Sequence, residues 1–132
     1  MRLSRESEYG LEGLRVLARR PKGTVMLLQE IAEAGHLPAR FLAKIFQKLR
    51  QHNLVASHRG AVRGYSLARA ADEITLGEIF EAIESPDFLG ECVFWSGHCN
   101  GENPCVLHDR WAAIRPKLQA VLARTTLEEV AR

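Results

Sequence analysis

The chain has 132 residues, of which 46% are hydrophobic and 26% charged, the balance of one soluble globular domain with its own core. No run approaches the roughly 18 consecutive apolar residues of a membrane span. The charged opening MRLSRESEYG lacks the apolar centre of a secretion signal, so a cytoplasmic protein is expected. The net charge of +2 conceals a division: residues 1–65 carry twelve Lys/Arg against five Asp/Glu, and residues 66–132 carry six against eleven. A basic first half suits a polyanionic partner.

The first helix is expected over Glu8–Arg20, where Leu11, Leu14, Leu17 and Ala18 recur at helical spacing before Pro21, Lys22 and Gly23 break the pattern. A second is expected over Leu27–Ala34, with Leu27, Leu28, Ile31 and Ala32 inward and Gly35 as its stop. A third runs from Pro38 to His52. Proline suits its first turn, Phe41, Leu42, Ile45, Phe46 and Leu49 form the apolar stripe, and Arg40, Lys44, Gln47, Lys48 and Gln51 take the opposite side. Helical spacing assigns Phe41 to the core, although the start of such a helix is also where bases are read.

The period then shortens. Leu54–Ser57 and Tyr65–Leu67 read as two short strands around the basic, glycine-bounded segment HRGAVRG, which makes a β-ribbon. A fourth helix is expected over Thr75–Ile83, its start set by a capping box of Thr75 and Glu78. Residues 85–104 look irregular. Helical pattern returns near Cys105, with Trp111, Ile114, Leu118, Val121 and Leu122 on one face and a bend expected at Pro116. Thr125 or Thr126 caps a short last helix. The resulting fold class is mainly α with a small β-wing: a winged helix-turn-helix over 1–84, a cysteine-rich loop over 85–107, and a dimerisation helix with a C-terminal helix over 108–132.

Helix, turn, basic helix and basic ribbon in that order describe a DNA-binding head. A helix fits the major groove, where base edges are distinguishable, while lysine and arginine beside it take phosphates. Candidate DNA contacts are Arg2, Pro38, Ala39, Arg40, Phe41, Lys44 and Lys48, with Arg59 and Arg63 at the ribbon tip. Arg59 suits a narrow minor groove.

The only three cysteines are Cys92, Cys99 and Cys105, and His108 follows the last by one helical turn. An odd number of clustered thiols in a reducing compartment points away from a disulfide framework and toward metal or redox chemistry. Thiolates are soft ligands for iron–sulfur clusters or zinc, and the spacing matches neither a zinc ribbon nor a ferredoxin. It leaves an iron–sulfur cluster, a Cys3His zinc site and free thiols all open. No phosphate loop, carboxylate pair or nucleophile–base pattern supports an enzyme.

Several segments carry a resemblance. MRLSRESEYGLEGL, IAEAGHLPARFLAKIFQKLRQHNLVASHRGAVRGYSLAR, ITLGEIFEAIE, and CVLHDRWAAI followed by TTLEEV together resemble the IscR and NsrR group of bacterial iron–sulfur transcription regulators, the IscR branch most closely. The resemblance implies a homodimer that reads a pseudo-palindromic operator. It also implies an iron–sulfur cluster on Cys92, Cys99 and Cys105, 2Fe-2S in preference to 4Fe-4S, that controls operator affinity. The fourth ligand implied is His108, or alternatively Glu8 from the partner subunit, and His108 is preferred. Three features depart from the group. Six residues separate Cys92 and Cys99 where five are usual. The wing RGAVRGY is poorer in glycine, and Pro38, Phe41 and Ala43 stand where relatives carry polar or acidic readers.

Overall fold

The computed structural model describes residues 3–84, 88–90, 92, 94–95 and 97–132. Helix α1 spans Arg5–Ala18, α2 Leu28–Gly35 and α3 Ala39–Gln51; strands β1 and β2 span Val55–Arg59 and Arg63–Leu67; helices α4, α5 and α6 span Leu76–Ile83, His108–Arg124 and Leu127–Ala131. This is a mostly helical winged-helix fold, as expected. A 3-10 turn over Ala71–Glu73 had no counterpart in the sequence reading.

Helix α1 starts three residues earlier than expected because Ser4 caps it, its hydroxyl accepting from the Ser7 N–H at 3.2 Å. Its buried Leu14 and Leu17 pack with Ile31, Leu42, Ile45, Phe46 and Leu49 from α2 and α3, and with Ile79, Phe80 and Ile83 from α4. At Gly10 a side chain would collide with Ile83, so glycine there lets α1 and α4 approach closely.

Three expectations about α2 and α3 are corrected. Leu27 is not inward. It is the extended residue preceding α2, off the helical stripe, and is 48% exposed. Gly35 does not stop α2. His36 does, turning left-handed at φ 54° so that the Leu37 N–H reaches back to the Ala32 carbonyl at 2.8 Å. Phe41 is not core: it is 47% exposed while the other four members of its stripe are buried.

The wing is longer than the sequence suggested. Its antiparallel register pairs Val55 with Leu67 and Arg59 with Arg63, leaving Gly60, Ala61 and Val62 as the tip. The base of β2 is clamped by Met26, whose N–H and carbonyl bond the Tyr65 carbonyl and N–H at 2.9 and 2.7 Å. That approach requires Gly64, at φ 132°, because a Cβ would fall on the Met26 carbonyl oxygen. The Tyr65 ring meets Phe46 edge-on at 5.2 Å, fixing the wing against α3.

The capping box expected at Thr75 is present, and a second one, not read from the sequence, opens the last helix. Thr75 opens α4 with Glu78, and Thr126, rather than Thr125, opens α6 with Glu129. The two capping residues also pair across chains of backbone: Leu76 N–H bonds Thr125 O at 2.9 Å and Leu127 N–H bonds Ile74 O at 2.8 Å. Leu127 is fully buried, and α6 packs back onto α1, where the Arg15 and Arg19 side chains bond the carbonyls of Val130 and Ala131. Helix α5 continues through Pro116 and has one buried residue, Trp111, while Ile114 and Val121 are 54% and 52% exposed. No described helix is long and apolar enough to cross a membrane.

Candidate metal centre and nucleic-acid interface

Among the described residues between α4 and α5, the three thiols lie together. The Sγ atoms of Cys92, Cys99 and Cys105 lie within 4.8 Å of one another, with Cys92 and Cys105 3.7 Å apart. His108, the first residue of α5, brings Nδ1 to 3.3 Å from the Cys99 Sγ. Thus the three expected thiols lie together, and His108 touches one of them, Cys99. Two backbone groups add to the site. The Trp95 N–H points at the Cys92 Sγ at 3.4 Å, and the Cys105 N–H at the Cys99 Sγ at 3.2 Å.

The thiols are not equivalent. The Trp95 N–H, outweighing burial and joined by that of Phe94, holds the Cys92 thiol below its ordinary range; burial pushes the Cys105 thiol up. Cys92 is buried, whereas Cys99 and Cys105 line an open depression of about 330 Å³ with Trp95, His98 and Val106. Soft sulfur donors, backbone N–H groups aimed at them and an adjacent imidazole form a donor set that fits an iron–sulfur cluster or zinc. The Trp95 contribution escaped the sequence reading, since a backbone donor leaves no signature beyond its place three residues after Cys92.

Glu8, the other candidate fourth ligand, is exposed on α1.

The candidate DNA contacts separate into groups. Ala39, Arg40, Phe41 and Lys44 are exposed on the first turns of α3, and Pro38 is its half-buried N-cap. Arg59 and Arg63 face each other as the last pair of the wing before its tip, both exposed. Lys48 is engaged elsewhere: its Nζ meets Glu6 at 2.8 Å and the Ile83 carbonyl at 3.5 Å, tying α3 to α1 and α4. Arg2 lies outside the described residues. Tyr9 was absent from the sequence-based set, yet its ring lies nearly parallel to that of Phe41, 6.4 Å away. Helical spacing within α1 gives no hint of a contact with α3.

A short helix, a turn, a basic helix and a two-stranded wing define a winged helix-turn-helix transcription regulator, here carrying a three-thiol loop. The model of the Rrf2 family, described as iron-dependent transcriptional regulators, matches residues 3–132. The chain belongs to the Rrf2 family. It is 36% identical to a Mycobacterium tuberculosis protein described as an HTH-type transcriptional regulator, covering 99% of this chain and 81% of that one. It is 33% identical to the HTH-type transcriptional regulator IscR of Sodalis glossinidius, over 98% of this chain and 78% of the relative. Among solved structures, CymR, the global cysteine regulator of B. subtilis, superposes with a TM-score of 0.79 at 30% identity, over 99% of this chain and 96% of CymR. These relatives are transcriptional regulators, not enzymes.

Proposed function

We propose that this regulator binds a pseudo-palindromic operator as a homodimer, and that an iron–sulfur cluster held by Cys92, Cys99, Cys105 and His108 sets its affinity. The observation that carries the reading is the convergence of three thiols within 4.8 Å beside the His108 imidazole. A 2Fe-2S centre is preferred, since four protein donors suit two ligands per iron. Kinship with IscR favours the same reading. Glu8 of the partner subunit is the alternative fourth ligand.

When bound, the cluster supplies a centre sensitive to oxidation, nitric oxide and iron supply. The chain's own residues do the rest. The Trp95 N–H stabilises thiolate at Cys92, and the Cys105 N–H hydrogen-bonds the Cys99 sulfur. The loop that carries these sulfurs joins α4 to α5, so its order biases how α5 sits. Ile114, Leu118 and Val121 leave an apolar stripe on α5 for a second copy, so a change in α5 resets the spacing of the two recognition helices. Arg40, Lys44, Arg59 and Arg63 supply the phosphate and base contacts, and the regulator acts in the cytoplasm.

The test is anaerobic purification followed by visible spectroscopy with iron and acid-labile sulfide analysis. Coloured protein with both elements is expected, and colourless protein holding zinc overturns the reading.

A second reading has its own observation. Cys92 and Cys105 are 3.7 Å apart at Sγ, close enough for a small movement and a two-electron oxidant to form a disulfide, and likeness to CymR, a cysteine regulator, favours a thiol switch. Mass spectrometry of oxidised protein would then find a reversible Cys92–Cys105 bond.

A further inference from the structure

Phe41 departs from the logic of its helix. Leu42, Ile45, Phe46 and Leu49 are buried, yet the Phe41 ring stays 47% exposed. Its position is also held. Tyr9 lies nearly parallel to it, with rings 20° apart in plane, and the Arg40 guanidinium carbon sits 4.8 Å from its centroid. Ala39 and Ala43, both exposed and small, flank it, so the ring is the largest apolar projection on the leading turns of α3. Arg40 has no carboxylate within ion-pair distance among the described residues, so only the ring orders it.

A large apolar group left in water forgoes burial worth tens of calories per Å², and here it stands at the end of the helix that enters the groove. The major-groove edges of the four bases offer one apolar group, the C5 methyl of thymine. We propose that Phe41 is a specificity-determining residue that packs against a thymine methyl in each half-site, with Tyr9 as the positioning residue behind it. This inference rests on the DNA-binding reading of α3 above.

The experiment begins with selection of binding duplexes from a random-sequence pool by the full anaerobically purified chain. Each thymine of the selected duplex is then replaced singly by deoxyuracil, which removes only the methyl group. At one position per half-site, affinity is expected to fall about fourfold, the weight of one buried methyl group. F41A should bind the thymine and deoxyuracil duplexes equally, and F41L should keep part of the difference. Because Phe41 lies outside the buried core, both variants should keep the wild-type circular dichroism, with a small drop in melting temperature from the lost Tyr9 contact. If selection enriches a duplex but no deoxyuracil substitution weakens the wild type, the inference is overturned while DNA binding stands. The same follows if F41A retains the full difference. If no duplex is enriched, the DNA-binding reading of α3 falls and takes the inference with it.

Discussion

The Cys99 Sγ and the His108 Nδ1 lie 3.3 Å apart across nine residues of sequence. This contact fastens the cysteine loop to the first residue of α5, the helix with the fewest buried side chains for its length. A change at the thiols is therefore applied at one end of α5.

The contact yields a ligand test. In anaerobically purified protein, His108→Ala should alter the visible and resonance Raman spectra, and Glu8→Ala should leave them unchanged. The reverse pattern would assign the fourth position to the partner's carboxylate, and two silent variants would remove both.

Among the basic residues, structure divides roles that the sequence had grouped. Lys44→Ala, Arg59→Ala and Arg63→Ala should each weaken duplex binding and lower the slope of log K against log salt by about 1. Lys48→Ala should leave the slope unchanged. Its Nζ is engaged by Glu6, and loss of that half-exposed pair should cost below about 1 kcal/mol in a denaturant melt. Anisotropy titrations at three salt concentrations separate the two outcomes.

The wing depends on one glycine. Gly64→Ala should destabilise the fold by about 2–4 kcal/mol, since both the φ of 132° and the Met26 carbonyl oppose a side chain. Urea denaturation measures it. Gly60→Ala, at the open tip, is the control and should be nearly neutral.

Glu84 gives the fold an acid-sensitive latch between the end of α4 and the start of α1. Its Oε1 accepts from the Ser4 N–H at 3.1 Å and from the hydroxyls of Ser4 and Ser7 at 2.5 and 2.7 Å. Burial alone would raise its pKa, but these bonds outweigh it, with Lys48 adding to them, and hold the folded value below the ordinary 4.5. The stabilisation is complete above 4.5 and is lost as pH falls through the lower folded value. Glu84→Gln should therefore lower stability most at neutral pH and flatten the acid limb of a stability-against-pH curve, the two proteins converging as pH falls. The buried Ser7, changed to Ala, should cost about 1 kcal/mol at pH 7.

What the sequence disclosed was local. The capping box of Thr75 and Glu78 is written in four residues, and the cores of α1 and α3 in their apolar period. The cysteine cluster was legible because Cys99, Cys105 and His108 lie close in the chain. Contacts made over distance were not legible. Nothing near Met26 announces its clamp on Tyr65, and nothing near Glu6 announces Lys48. Phe41 matched the apolar period and was assigned inward, because period counts residues along one helix and is silent about whether a neighbour covers the stripe's first turn. Gly35 was read as a stop by composition, while His36 took the left-handed turn beside it.

The central claim is that the state of the four-donor loop controls how the paired heads hold DNA. The most direct measurement is anisotropy titration of one selected duplex, at fixed salt under anaerobic conditions, with cluster-loaded protein, cluster-free protein and the Cys92→Ser, Cys99→Ser, Cys105→Ser triple variant. Affinities of the loaded and cluster-free forms should differ by about 5- to 150-fold, with the variant matching the cluster-free form. Three coincident binding curves would contradict the claim.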